Sequence, residues 1–226
     1  SDLFVLLLIW LYALLVDFSP SVVRSATMIT VYSVVGLLNR DKFSLNTLAL
    51  TAIILLVVRP QNLWDVGFQM SFVAVLSIVL FVPLLYGLFS PKLLQRHWLL
   101  RWVWGLATVS VVAQLGTAPL VAFYFGRFSC YFLLSNFIVI PCATAILYAA
   151  VLLLVFFFIP QVQLLVGKAL LFVVGSMNAA LHWVAHLQGA SIEGLHPNVL
   201  QVLLWYVFLF CVWYLFSFFS KRTNLE

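Results

Sequence analysis

The stretch RPQNLWDVGFQMSFVAV, residues 59–75, joins two strongly apolar segments of this chain of 226 residues. It nevertheless contains an arginine, an aspartate, two glutamines and an asparagine. Charged and amide groups near hydrocarbon are costly unless they find a partner or water. We therefore predict a solvated turn and helix cap over residues 59–65, followed by a membrane helix whose Gln69 face lines a polar path.

The composition excludes an ordinary soluble domain. Hydrophobic residues make up 65% of the chain and charged residues 8%, with a mean hydropathy of +1.19, whereas soluble domains carry roughly 25% charged residues. Only helices and closed barrels satisfy every backbone hydrogen bond in lipid, and no strand-like alternation dominates here. The sequence predicts an all-α, polytopic membrane helix bundle of about seven to eight membrane segments, including broken or half-helices.

Apolar runs and helix breakers divide the chain into segments. A first run at 3–16 is shorter than the roughly 20 residues that a spanning helix needs. Residues 90–101 are basic and amphipathic with tryptophans close by, which is typical of a helix at the membrane interface. Further helices are predicted at 21–38, 44–58, 66–85, 102–125, 130–159, 162–187 and 199–219.

Two of these helices contain residues that predict a break. Gly116 and Pro119 interrupt the helix at 102–125, and SNFIVIP, residues 135–141, interrupts the helix after it. Broken helices at membrane depth are tolerated only where they face protein or water. Both interruptions therefore point to a polar interior, with a tight turn at 125–129 between the two helices.

Arg24 lies about one turn inside the helix at 21–38, on a face that also carries serines. Two interpretations stay open. Arg24 extends to the membrane interface or pairs with Asp17, or it lines a pore, since ionisable residues within a membrane tend to be functional. Asp65 is predicted to cap the helix that follows it.

The charge of the chain is small but mostly positive. Eleven lysines and arginines stand against six aspartates and glutamates, for a net charge of +5. This excess favours an anionic partner, either lipid head groups, which is the more ordinary case, or nucleic acid. The positive-inside rule places the cation-rich loops and the C-terminus in the cytoplasm. These loops contain Arg40, Lys42, Lys92, Arg96, Arg101, Lys221 and Arg222.

No arrangement of residues predicts an enzyme active site. His182 and His186 have the i, i+4 spacing of zinc ligands, but the glutamate of an HExxH motif is missing between them. Packing or interface roles are predicted for both. The sequence contains no GxxxxGK[ST] loop and no paired carboxylates, so we predict no catalytic residue, metal or cofactor. Cys130, Cys142 and Cys211 lie in apolar segments and are predicted to be small buried hydrophobic residues.

Five motifs occur in order at plausible spacing. They are SPSVVRSATM (19–28), LNR (38–40), RPQNLWDVGFQMSFVAV (59–75), VVAQLGTAPLVAFYFGRFS (111–129) and SNFIVIP (135–141). Over about residues 19–215 the chain thereby resembles the transmembrane competence domain of the ComEC/Rec2 family, with GFQMSF as the most specific part. The resemblance implies a channel that takes single-stranded DNA across the bacterial cytoplasmic membrane during natural transformation.

A DNA conduit needs cations and polar groups rather than carboxylates, because each nucleotide carries a negative charge. The resemblance thus implies a multi-pass inner-membrane protein whose partners are single-stranded DNA, membrane lipids and other proteins of the competence machinery. The candidate residues of the DNA path are Arg24, Arg59, Gln69, Gln114, Arg127 and Asn136. Asp65 is the exception and is expected to cap a helix or to pair with Arg24 or Arg59.

Members of this family usually carry an oligonucleotide-binding domain before this region and a metallo-β-lactamase-like domain after it. Neither can be placed in residues 1–226, and the chain begins without methionine and ends in a Leu-Glu pair typical of a cloning junction. We expect a single transmembrane competence domain excised from a longer protein. The family usually places both soluble domains on the outer face, which differs from the cytoplasmic C-terminus that the loop charges predict.

Two other classes of function fit the same residues. A small-solute or lipid permease has broken helices near mid-membrane, and a structural scaffold uses polar side chains only to hold helices together. A cation-lined groove wide enough for one strand favours DNA. A closed neutral pocket favours a small solute, and the absence of an interior polar path favours a scaffold.

Overall fold

The chain folds into α-helices joined by short turns, and the predicted all-α membrane helix bundle is confirmed. The structure is a computed structural model and describes residues 2–37, 44–87, 97–156 and 158–223. Within these ranges the helices are α1 (Asp2–Leu15), α2 (Pro20–Leu37), α3 (Leu45–Val58), α4 (Val66–Tyr86), α5 (Trp98–Phe125), α6 (Phe132–Val155), α7 (Pro160–Ala185) and α8 (Val199–Thr223). A 3₁₀ turn spans Pro60–Trp64, and two short strands are β1 (Arg127–Ser129) and β2 (Ser191–Glu193).

Five of these helices, α4 to α8, are long and apolar enough to cross a membrane. The helices α1 and α3 are also apolar but have 14 residues each, fewer than the roughly 20 that a spanning helix needs. Many large apolar side chains are exposed on the protein surface. Such exposure is expected where the surroundings are lipid tails, which are as apolar as leucine.

The chain forms two compact units. The first contains α1 to α4, residues Val112–Leu120 of α5, and α8. The second contains the two ends of α5, both strands, α6 and α7.

Small and hydroxyl-bearing residues fill the interior of the first unit. Ala26, Thr27, Thr47 and Thr51 are all buried on α2 and α3. Each hydroxyl that would otherwise be unsatisfied in an apolar interior can bond within its own helix, as Thr51 does by donating to the carbonyl of Thr47 at 2.8 Å. Small residues let membrane helices approach closely. The van der Waals contacts formed at that short distance stabilise the association of the helices.

The predicted break at Gly116 and Pro119 is wrong, because α5 is continuous. Proline has no N–H, so the carbonyl of Leu115, four residues earlier, loses its normal helical partner. The indole N–H of Trp205 in α8 donates to that carbonyl at 3.1 Å, and the hydroxyl of Tyr206 donates to the carbonyl of Gly116 at 2.9 Å. Side chains of a neighbouring helix thus satisfy the backbone, and the helix continues.

The interruption predicted at residues 135–141 is also wrong, since α6 passes through Pro141 without a break. Membrane helices tolerate proline when nearby hydroxyl groups and local adjustment satisfy the backbone groups that it frees. The carbonyl that loses its donor is that of Phe137, four residues before Pro141.

The cysteines are less buried than the sequence predicts. Cys130 and Cys211 are exposed, Cys142 is half-buried, and all three are free. The prediction failed because an apolar side chain in a membrane protein can avoid water by facing lipid, so an apolar sequence context does not require burial inside the protein.

A two-stranded sheet follows α5 where the sequence predicts only a tight turn. Gly126 ends the helix in the left-handed conformation, with φ of 66°, which glycine adopts without steric cost. Strand β1 then pairs antiparallel with β2, so that Arg127 lies opposite Glu193 and Ser129 opposite Ser191. Strands of three residues are too short to show a period-two pattern in the sequence.

Two predicted segments lie wholly or partly outside the described residues. These are the cation-rich loop that contains Arg40 and Lys42, and the first part, 90–96, of the predicted interfacial helix. The remainder of that segment, residues 98–101, forms the first turn of α5.

Candidate functional site

The turn after α3 forms as the sequence predicts. Arg59 ends the helix in an extended conformation, with φ of −143° and ψ of 94°, because the residue before a proline disfavours the helical region. The 3₁₀ turn then begins, and the side-chain amide of Asn62 donates to the carbonyl of Leu55 at 3.1 Å. This bond holds the turn against the last turn of α3.

Asp65 connects the turn to α2 through its two carboxylate oxygens. Oδ1 accepts a hydrogen bond from the backbone N–H of Gly67 at 3.2 Å and thereby caps α4. Oδ2 accepts from Nη1 of Arg24 and forms an ion pair with it. One carboxylate therefore fixes both the start of α4 and the position of an arginine on α2.

The guanidinium of Arg24 is largely enclosed. Its side chain is 13% exposed, whereas that of Asp65 is 40% exposed. Of the interpretations that the sequence left open, the structure shows a pair with Asp65 and not with Asp17. A paired and mostly buried arginine is held in place by its partner, whose carboxylate also offsets much of its charge.

Gly67 provides the room that Arg24 occupies. A Cβ atom added to Gly67 would lie 2.7 Å from Nη2 of Arg24, closer than carbon and nitrogen approach without bonding. Sequence reasoning did not single out this glycine. A glycine in the first turn of a helix, at a cost in helix propensity of about 1 kcal/mol, was the signal that something approaches the backbone there.

Gln69 holds the 3₁₀ turn from the other side. Its Nε2 donates to the carbonyl of Leu63 at 2.9 Å, and the side chain is half-buried. The amide therefore stabilises the turn whose residues surround Arg24, in addition to any contact with a transported molecule.

A cavity with a volume of about 540 Å³ opens where these elements meet the turn between α1 and α2. We call it the arginine cavity. Its walls carry two cations and one carboxylate among apolar side chains. The lining residues are Asp17, Phe18, Pro20, Val23, Arg24, Leu55, Val58, Arg59 and Asn62.

The α1–α2 turn brings an aromatic ring to the arginine cavity through an unusual backbone. Asp17 and Phe18 have φ of 52° and 47°. Positive φ is uncommon outside glycine, and for a bulky residue it is a genuine outlier. The ring of Phe18 remains 48% exposed. No signal in the sequence DFSP identifies this conformation, which the contacts of the turn impose.

The remaining candidates of the DNA path lie elsewhere. Gln114 is half-buried in the part of α5 that belongs to the first unit, and its neighbour Gly116 faces Ser77 of α4. Arg127 is exposed on β1, and Asn136 is half-buried in α6, both in the second unit. The structure thus gathers Arg24, Arg59, Gln69 and Asp65 at one end of the first unit.

The two histidines of α7 contact each other. The rings of His182 and His186 stack with their centroids 4.3 Å apart, and Nδ1 of His186 lies 2.8 Å from the carbonyl oxygen of His182. Both side chains are exposed. The pair lies at the C-terminal end of α7.

The sequence of the chain is similar to that of known proteins. The model of the competence protein family matches residues 2–219 of the chain. ComE operon protein 3 of Bacillus subtilis (strain 168) is 31% identical over 144 residues, which cover 64% of this chain and 17% of the relative. The chain therefore spans a small part of the length of that relative. No solved structure matches the chain significantly.

Proposed function

This chain belongs to the competence protein family, and from that premise we propose that it conducts single-stranded DNA through the membrane. It is a multi-pass protein of the bacterial inner membrane, and the described part of the chain contains five helices long and apolar enough to span it. Conduction of a polyanion needs cationic and polar groups along a path rather than bond-making residues. We accordingly propose that this part of the protein is not an enzyme.

The observation that carries the proposal is the arginine cavity. It places Arg59, which is exposed, on the same cavity wall as Arg24, whose charge is held in position by Asp65. Positive groups at the end of a helix bundle attract phosphates and raise their local concentration. Gln114, Arg127 and Asn136 are proposed to continue the path.

The position of the arginine cavity suits the entrance of a DNA path. The turns at residues 16–19 and 59–65 join the same ends of α1 to α4. In the sequence, Arg40 and Lys42 follow the C-terminal end of α2, and Lys92 and Arg96 follow that of α4. Because cytoplasmic loops are enriched in lysine and arginine, the arginine cavity is proposed to face the outside, where DNA enters.

The proposed partners follow from the same role. They are single-stranded DNA, anionic and neutral membrane lipids, other proteins of the competence machinery, and soluble domains of a longer parent chain. An oligonucleotide-binding domain and a metallo-β-lactamase-like domain are the soluble domains proposed for that parent.

Transport of labelled DNA into liposomes tests the proposal. The purified chain is reconstituted, a fluorescent single-stranded oligonucleotide is added outside with an imposed membrane potential, and the nuclease-protected fraction is measured. Liposomes with protein should protect several-fold more oligonucleotide than empty liposomes. Equal protection in both, with potentials of either sign, would overturn the proposal.

Substitutions in the full-length parent protein test the residues. Arg59→Gln and Gln69→Leu should lower transformation frequency at unchanged membrane levels, because both alter the arginine cavity or its supporting turn. Arg101→Gln, which removes an exposed cation of α5, is the matched control and should leave transformation unchanged.

A lipid permease is the second candidate, because one groove of the first unit is almost purely apolar. It has a volume of about 270 Å³ between α4, α5 and α8. An apolar groove on membrane-spanning helices suits a hydrocarbon chain. Its lining residues are Phe81, Leu84, Leu85, Leu115, Trp205, Phe208, Leu209, Val212 and Phe216. Flip of fluorescent lipids by the reconstituted chain, without DNA uptake, would favour this function.

A further inference from the structure

We propose that the arginine cavity is a subsite for one nucleotide of single-stranded DNA, with the base stacked on Phe18 and the phosphate bound by Arg59. The inference rests on the proposed function, because it names the part of the DNA that this cavity would contact. It goes further by assigning an aromatic contact, a phosphate contact and a positioning residue to specific side chains.

The size and lining of the cavity suit a nucleotide. Its volume of about 540 Å³ lies within the roughly 300–1,000 Å³ of small-ligand sites. Apolar side chains from α2, α3 and the turn before α2 form part of the wall, and three charged groups and the amide of Asn62 form the rest. A nucleotide has the same division, with an apolar base face and an anionic phosphate. The apolar groove beside α8 lacks charged lining residues and does not offer this combination.

Phe18 has the properties of a stacking platform. Its ring lines the cavity and is 48% exposed. The positive φ of the residue is a strained conformation, which is kept only where surrounding contacts impose it. Two backbone hydrogen bonds impose it here, from the N–H of Phe18 to the carbonyl of Ala13 at 2.8 Å and from Asp17 to Leu14 at 3.2 Å. Aromatic rings stack every base, so the contact would not select a sequence.

Arg59 is the cation available to a phosphate. Its backbone N–H donates to the carbonyl of Leu55 at 3.0 Å, so the base of the side chain is anchored while the guanidinium is exposed. Among the residues that the structure describes, no carboxylate lies within ion-pair distance of Arg59. A guanidinium can donate two parallel hydrogen bonds to a phosphate.

Arg24 supplies a second guanidinium, which is positioned by an ion pair that partly balances its charge. Asp65 holds it, and Gly67 leaves the space for its Nη2 atom. Asp65 is therefore a positioning residue. The carboxylate of Asp17 on the same cavity wall disfavours a dianion, so the singly charged diester of a DNA strand suits the site better than a terminal phosphate.

Binding of two oligonucleotides to the purified chain in nanodiscs tests the stacking contact. One is a fluorescent oligothymidylate, and the other has the same length and backbone charge but no bases. Phe18→Leu should weaken binding of oligothymidylate about tenfold, as loss of one stacked base does, and leave the abasic oligomer unchanged. Phe18→Tyr, which keeps the ring, should retain binding of oligothymidylate.

Phe172→Leu is the matched control, because Phe172 is an exposed ring on the membrane helix α7. It should change neither affinity. If Phe18→Leu weakens both oligomers equally, or neither, the base does not stack on Phe18 and the inference is overturned.

The salt dependence of binding tests the phosphate contact. Arg59→Gln should reduce the slope of log affinity against log salt by about 0.7, the value for one phosphate contact to a single strand. Arg101→Gln should leave the slope unchanged. Equal effects of the two substitutions would show a diffuse charge effect and overturn the assignment.

Different results would reject the proposed DNA conduction and the proposed nucleotide subsite. Uptake into liposomes with binding that does not depend on Phe18 or Arg59 would leave DNA conduction standing and reject the subsite. Binding that depends on both residues, without uptake, would leave the subsite standing and reject conduction by this chain.

Discussion

Nη2 of Arg24 lies against Gly67 so closely that a Cβ atom at residue 67 would stand 2.7 Å from it. The guanidinium cannot simply swing away, because Nη1 of the same group is paired with Asp65. Asp65 in turn accepts a hydrogen bond from the backbone N–H of Gly67. The three residues therefore form one unit, in which the glycine of GFQMSF is required by an arginine more than forty positions earlier in the chain.

Gly67→Ala is expected to destabilise the protein although alanine favours helices. The added methyl group displaces the guanidinium and breaks its ion pair, which outweighs the gain in helix propensity of about 1 kcal/mol. The measurement is the thermal unfolding midpoint of the purified chain in detergent. Gly175→Ala is the control, because nothing lies within 4 Å of a Cβ atom at that position of α7. It should raise the midpoint, and a rise for both variants would contradict the contact.

Asp65→Asn separates the two roles of the carboxylate. Asparagine is as good a helix cap as aspartate, so the start of α4 should persist while the charge of Arg24 loses its partner. We expect a loss of about 1–3 kcal/mol, less than for a fully buried pair because Asp65 is 40% exposed. Denaturant unfolding of Asp65→Asn, Arg24→Gln and the double variant gives the coupling. Additive effects would show that the ion pair contributes nothing.

Gly116→Ala is expected to separate α4 from α5. A Cβ atom at Gly116 would lie 2.0 Å from Oγ and 2.9 Å from Cβ of Ser77. Overpacking of this kind costs about 1–3 kcal/mol. Ser77→Gly removes both contacts and should restore most of the loss when combined with Gly116→Ala. Gly167→Ala, at an open position of α7, serves as the control in the same unfolding assay.

Trp205→Phe is expected to destabilise the protein only while residue 119 is proline. The substitution leaves the carbonyl of Leu115 without the indole donor, a loss of about 0.6–1.7 kcal/mol for a hydrogen bond within a membrane. In a Pro119→Ala background, the N–H of residue 119 can bond to that carbonyl, so Trp205→Phe should cost less. Trp183→Phe, at an exposed tryptophan of α7, controls for loss of the indole. Equal costs in both backgrounds would show that the indole does not compensate for the proline.

The local features of the candidate site could be predicted because their causes are local. Pro60 ends α3 at Arg59 through the conformational restriction that proline imposes on its predecessor. Asp65 caps α4 because its side chain reaches the N–H two residues later. Both features depend on residues within one turn of each other, and a pattern in the sequence is enough to find them.

The wrong predictions of helix breaks and of buried cysteines have one cause: the surroundings of a residue are set by parts of the chain far away in sequence. Pro119 and Pro141 remove a hydrogen-bond donor, and the sequence alone predicts that a helix breaks where a donor is missing. Whether it breaks depends on what else can reach the free carbonyl. The carbonyl of Leu115 accepts a hydrogen bond from Trp205, ninety positions later in the chain. No sequence pattern around Pro119 predicts that donor. The buried cysteines were predicted wrongly because apolarity does not distinguish the protein interior from lipid.

By itself the sequence determined that this protein is a helical membrane bundle, because apolar runs of spanning length leave the backbone no other way to satisfy its hydrogen bonds in lipid. It also determined where α3 ends and α4 begins, and it carried the motifs of the competence family. Only the tertiary structure decided that Arg24 pairs with Asp65, that Gly67 leaves room for it, and that Phe18 and Arg59 line one cavity. Those relationships join residues on separate helices, and they depend on distances that packing alone sets.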